Sequence, residues 1–109
     1  MKSNQLNRGE RSRLMYVENK EGDIDGVPAR IGWVRFSQSA RTVYYRGLTL
    51  QRMKRSGVSG NFIDCESGEE YRISGVKRKG SNQHWAEPVG LVVDQDAREA
   101  YEALRNESA

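Results

Sequence analysis

This chain of 109 residues is poor in three residue types: it has one cysteine (Cys65), one histidine (His84) and two prolines. A lone cysteine excludes an internal disulfide and fits a reducing compartment. One His and one Cys cannot supply the spaced ligand set of a zinc site. No apolar run approaches the roughly 18 residues that a membrane span needs. Met1 to Arg13 is polar and has no signal-peptide core, so a cytoplasmic protein is expected. The hydrophobic fraction is low (36%) and the charged fraction high (30%). The apolar residues nevertheless gather into short runs, which predicts one folded domain rather than a disordered chain.

Charge is distributed unevenly. The net value is +3, but residues 29–85 hold 11 Lys and Arg against 4 Asp and Glu. Residues 86–109 hold 2 against 6, and residues 14–28 hold 1 against 4. A basic middle is therefore followed by an acidic C-terminal segment.

Hydrophobic periodicity sets the organisation. Residues 1–12 show none and read as a flexible polar arm. Residues 13–93 read as a β-rich domain. Leu14-Met15-Tyr16-Val17 is β-prone and closes in the acidic, glycine-punctuated loop Glu21 to Gly26. In Ala29 to Ser37, Val34 and Phe36 alternate with Trp33 and Arg35. In Thr42 to Arg46, Val43 and Tyr45 face one way while Thr42, Tyr44 and Arg46 face the other. The polar link between these two runs is short enough for a hairpin. Gly47 is expected to bend the chain, as a bulge or corner, before Leu48 to Gln51. A second hairpin is predicted from Asn61–Cys65 and Glu70–Ser74 around Gly68, which supplies a positive-φ position. A simple register would bury Ile63, Cys65, Tyr71 and Ile73 together. Residues 94–107 change period: Ala97, Ala100, Tyr101 and Leu104 form one stripe of an amphipathic acidic helix packed on the domain. Asp94 or Asp96 can cap it, and Asp96 with Glu99 matches a capping box. The expected fold is mainly β (α+β): a small, strongly bent antiparallel sheet or partly open β-barrel with one C-terminal helix.

The stretch Gly60-Asn61, Asp64, Ser67-Gly68-Glu69-Glu70-Tyr71, Ile73-Ser74-Gly75, Lys77 and His84-Trp85, with the earlier Tyr44-Tyr45-Arg46-Gly47, resembles a group of small uncharacterised bacterial proteins. The likeness covers about residues 13–86. It implies a recurring small β domain and assigns no activity and no site residue.

Catalytic chemistry is poorly supplied. Cys65 and His84 are the one conceivable nucleophile–base pair, with no third orienting group and with Cys65 expected on a strand's inward face. Glu21, Asp23 and Asp25 are rich in oxygen ligands but lack the longer calcium-loop pattern, and read as a solvated acidic loop. Gly57-Val58-Ser59-Gly60 lacks the Gly-Lys-Ser/Thr ending of a phosphate cradle. No enzyme and no cofactor is expected.

What remains is a basic middle interleaved with aromatics. Arg46, Arg52, Lys54, Arg55, Lys77, Arg78 and Lys79 concentrate on two loops and adjoining strand ends, and Trp33 and Tyr44 are expected on outward faces. Small barrels bind nucleic acid with this combination, cations meeting phosphates and flat side chains stacking on bases. The competing reading is a solvated basic surface, with Trp33 and Tyr44 filling a second face of the sheet under the helix. The helix offers two further roles. Its carboxylates can offset the basic loops within one molecule, or face outward and recognise a basic protein, as an inhibitor, immunity or antitoxin-like module does.

Overall fold

The computed structural model describes residues 11–54, 61–77 and 90–107. Most of the N-terminal arm, the Gly57–Gly60 segment, Arg55, Arg78, Lys79 and His84 lie outside the described residues.

Six strands follow one another as an antiparallel meander: β1 (Ser12–Asn19), β2 (Ala29–Phe36), β3 (Thr42–Tyr45), β4 (Leu48–Arg52), β5 (Phe62–Asp64) and β6 (Glu70–Gly75). β6 pairs back onto β1, with Val17 opposite Ile73, while β1 also pairs with β2. The ring is closed, which satisfies the backbone groups that an open sheet leaves on its edges. Alternation fills the lumen. Val17, Val34, Val43, Tyr45, Leu50, Phe62, Tyr71 and Ile73 form one buried cluster with Ile24, flanked by Met15, Phe36 and Leu48. Each fully buried side chain of this kind contributes about 1.5–3 kcal/mol by leaving water.

β1 and β2 are apolar on their outer face as well. Leu14, Tyr16, Ala29 and Ile31 form a second cluster with Ala97 and Leu104. That double burial explains the unbroken run Leu14-Met15-Tyr16-Val17, which a half-exposed strand would interrupt with polar residues. The cover is β7 (Leu91–Val93), parallel to the first half of β2, then a 3₁₀ turn (Gln95–Ala97) and helix α1 (Arg98–Glu107). The helical stripe Ala97, Ala100, Tyr101, Leu104 meets this face. α1 spans 10 residues, and no helix among the described residues is long and apolar enough to cross a membrane.

Three local expectations are corrected. Gly47 marks no bulge: Arg46 (φ 49°) and Gly47 (φ 81°) form a two-residue hairpin between β3 and β4, with Tyr45 opposite Leu48. Positive φ at both central positions matches the right-handed twist of the strands. In β5 the inward residues are Phe62 and Asp64, while Ile63 is half-buried and Cys65 is exposed beyond the strand. A one-residue shift exchanges the faces of a strand. Here the pairing of Phe62 with Tyr71 and the turn-binding role of Asp64 select the face. The Asp64 carboxylate accepts from the Glu66 N–H and the Ser67 hydroxyl, at 2.9 and 3.0 Å. Finally, Asp94 occupies the N-cap position but makes no side-chain capping bond, because its carboxylate turns into the barrel.

Candidate functional site

In an antiparallel meander every second connection emerges at the same end of the barrel. The start of β1, the β2–β3 link, the end of β4 and the end of β6 therefore share one end. It carries Arg11, Arg13, Arg35, Arg41, Arg52, Lys54 and Lys77. The β1–β2 loop, the Arg46–Gly47 turn and the β5–β6 loop share the other. It carries Glu21, Asp23, Asp25, Asp64, Glu66, Glu69 and Glu70, with Lys20, Arg30, Arg46 and Arg72 among or beside them. Among the described residues between 11 and 77, no carboxylate stands at the cationic end. Like charges gathered this way raise a local potential that attracts anions.

The cationic end has relief. Inward-facing positions at the start of β1 (Arg13) and the ends of β2 (Phe36) and β4 (Arg52) surround the barrel mouth, a cavity of about 350 Å³ lined also by Arg11, Met15, Ser37, Gln38 and Ala40. A second hollow of about 380 Å³ adjoins it, lined by Arg41, Arg52, Met53 and Lys54. Arg52 belongs to both. Its guanidinium lies 4.9 Å from the Phe62 ring centre and donates to the Ala40 carbonyl at 3.4 Å. Arg13 lies 5.8 Å from the Phe36 ring. On the outer wall Arg35 and Tyr44 are cross-strand partners, the guanidinium 4.6 Å from a ring that is 37% exposed. Cation–π pairs of this kind hold arginines extended over flat surfaces.

At the opposite end several charges are paired within the chain. Arg30 faces inward and its Nη1 meets Asp94 Oδ1 at 3.0 Å, while its Nε and Nη2 donate to the carbonyls of Ile24 and Asp25. Arg46 donates to Asp25 Oδ2 at 2.6 Å and lies 3.4 Å from Asp94 Oδ1. The Arg46 guanidinium holds the Asp25 carboxyl below the usual carboxylate range. Tyr45 donates its hydroxyl to Asp94 Oδ2, and burial, followed by that carboxylate, pushes the phenol upward. Nearby, Asn19 organises the acidic loop. Its Oδ1 accepts from the Glu21 and Gly22 N–H groups, and its Nδ2 donates to Asp23 O, Glu69 Oε1 and Tyr71 Oη.

The residues predicted from sequence are thus divided. Arg52 and Lys54 stand together in the hollow beside the mouth, and Tyr44 is exposed on the adjoining wall. Lys77 is exposed at the same end, its carbonyl accepting from Arg105. Arg46 lies at the other end, between two carboxylates. Trp33 is half-buried under the 3₁₀ turn, its indole N–H donating to Asp96 O at 3.0 Å. Helix α1 covers the outer face of β1 and β2, with Glu99 and Glu102 outward, and Arg41, Arg52 and Lys54 stay exposed. Arg11, Arg13, Arg35 and Arg41 were not singled out from sequence. For Arg13 the missed signal was parity: an arginine two residues before the inward Met15 continues the inward face and so marks a barrel mouth, whereas no local pattern marks Arg35 or Arg41.

No protein-family model, curated protein or solved structure matches this chain.

Proposed function

We propose that the protein is a non-catalytic binding domain that engages nucleic acid, or a polyanion of like charge density, through the cationic end of its barrel. The observation carrying this reading is the sorting of charge. Arg11, Arg13, Arg41, Arg52 and Lys54 line two adjoining hollows at the end from which the described barrel carboxylates are missing. Such a surface needs no reacting group. Neutralising phosphates releases condensed counterions, which makes affinity fall steeply with salt. The exposed ring of Tyr44, flanked by Arg35, adds a flat platform of the kind on which bases stack.

The test is titration of labelled single- and double-stranded oligonucleotides at two salt concentrations. Binding at low salt that weakens log-linearly as salt rises is expected. Absence of binding at low salt, or binding indifferent to salt, overturns the reading.

A second reading attaches to the other surface. The acidic loops, with Glu99 and Glu102 outward on α1, offer carboxylates to a basic protein partner. A stoichiometric partner lost from E99Q/E102Q but retained by R41Q/R52Q would favour it over the first.

A further inference from the structure

We infer that the barrel mouth is a dead-end pocket for the terminal nucleotide of a nucleic-acid strand, with Arg13 and Arg52 receiving a terminal phosphomonoester. The inference deepens the polyanion reading and rests on it. Three features of the mouth lead there.

The first is that the lumen is blocked. Met15 and Phe36 lie at the mouth, and Val17, Val34, Val43 and Leu50 beneath them have no exposure at all. A strand cannot thread through such a barrel, so whatever enters must end there. Mouths of β-barrels are a recurrent place for ligands, and about 350 Å³ lies within the range of small-molecule sites, roughly 300–1,000 Å³.

The second is the match of charge. An internal phosphodiester carries one negative charge, whereas a phosphomonoester near neutral pH carries roughly −1.5 to −2 and offers three acceptor oxygens. Guanidinium forks bind such oxygens bidentately. Arg13 and Arg52 reach the cavity from different strands, and no carboxylate lines it among the described residues. Two guanidinium forks offer more donors than the two free oxygens of one diester can use.

The third is the combination of floor and exit. The Phe36 ring, with Arg13 over it, and the adaptable Met15 thioether give an apolar, sequence-tolerant surface against which a base can pack. The hollow lined by Arg41 and Lys54 shares Arg52 with the mouth. Phosphates following the terminal one can therefore run directly onto it.

The experiment measures fluorescence anisotropy of the full chain with internally labelled decathymidylate bearing a 5′-phosphate, a 3′-phosphate or hydroxyls only. One phosphorylated strand is expected to bind about tenfold tighter than the hydroxyl strand. R13Q and R52Q should erase that difference, whereas K54Q should weaken all three strands alike and keep the preference. Thymidine monophosphate should displace the preferred strand and thymidine should not, which tests the pocket in the unaltered protein should either arginine variant fail to fold. Equal affinity for all three strands overturns the mouth as an end-binding pocket and leaves the polyanion reading standing. Failure of all three to bind at low salt overturns both.

Discussion

The hydroxyl of Tyr45 donates to the carboxylate of Asp94 across the space left by Gly32. Gly32 sits where β2 changes neighbours: Ala29, Arg30 and Ile31 pair with β7, and Arg35 and Phe36 pair with β3. Asp94, the first residue after β7, passes through this fork and ties the helical cap to the lumen. The backbone bond from Asp94 N–H to Ile31 O fixes its position, at 2.8 Å.

Gly32 is therefore a packing requirement rather than a flexible joint. A Cβ there would collide with the Asp94 carboxylate and approach the Tyr45 hydroxyl at 2.8 Å. We predict that Gly32→Ala destabilises the fold by about 1–3 kcal/mol, the usual range for overpacking a filled interior. Urea denaturation monitored by tryptophan fluorescence measures it. A neutral result would show that Asp94 has room to withdraw.

Asp94 and Arg30 pair where little water reaches, whereas Arg46 is 34% exposed and is paired with Asp25 as well. Removing one partner of a buried charge pair leaves the other uncompensated, so Asp94→Ala should cost about 3–5 kcal/mol, chiefly through Arg30. Asp94→Asn should cost less. Hydrogen exchange should show protection lost first in β7 and α1, which the Asp94 carboxylate fastens to the barrel.

Asn19 links the acidic loop to the β5–β6 hairpin with one amide. In Asn19→Ala the N–H groups of Glu21 and Gly22 lose their acceptor, and a loss of about 1–3 kcal/mol is expected. A thermal melt reads the shift. Binding at the cationic end should be unchanged in the folded population, because the loop lies at the other end of the barrel.

Alkaline pH should unfold the protein. Burial, followed by the nearby charges of Glu69 and Asp64, pushes the Tyr71 phenol from 10.0 to about 12. Burial raises Tyr16 and Tyr45 in the same direction. A phenol harder to ionise in the folded state contributes stability that is complete below the unfolded value of 10.0 and lost as pH rises toward 12. The stability of the wild-type chain should therefore decline from about pH 10 upward, and Tyr71→Phe should reduce that slope. Denaturation midpoints across this range decide it.

Phosphate-contacting cations each release about one counterion. R41Q, R52Q and K54Q should each reduce the slope of log affinity against log salt by roughly 1. E66Q, at the far end, should leave it unaltered. Unchanged slopes in R41Q, R52Q and K54Q would show that the cationic end makes no phosphate contacts.

Much of this architecture was legible beforehand. Val34/Phe36 and Val43/Tyr45 announced two strands and their inward faces, Gly68 announced a hairpin, and Ala97-Ala100-Tyr101-Leu104 announced a helix with one buried side. Each of these is a short-range signal, written within a few residues. At β5 the local pattern points the wrong way. Ile63/Cys65 is the more apolar alternating pair and reads as the inward one, but the pairing of Phe62 with Tyr71 and the turn bonds of Asp64 put Phe62 and Asp64 inside. Arg46 looked like its neighbours in a basic segment until the tight turn at Gly47 carried it to Asp25 and Asp94.

The sequence by itself determined the strand periods, the turn glycines, the amphipathic helix and the order of basic and acidic segments along the chain. Closure of the ring, the fork at Gly32 and the gathering of basic and acidic loop residues at opposite ends of the barrel were decided by tertiary structure alone. The reason is geometric. Period and propensity act between residues a few positions apart, whereas β1 meets β6, and Tyr45 meets Asp94, across separations of about fifty residues that no local rule can see.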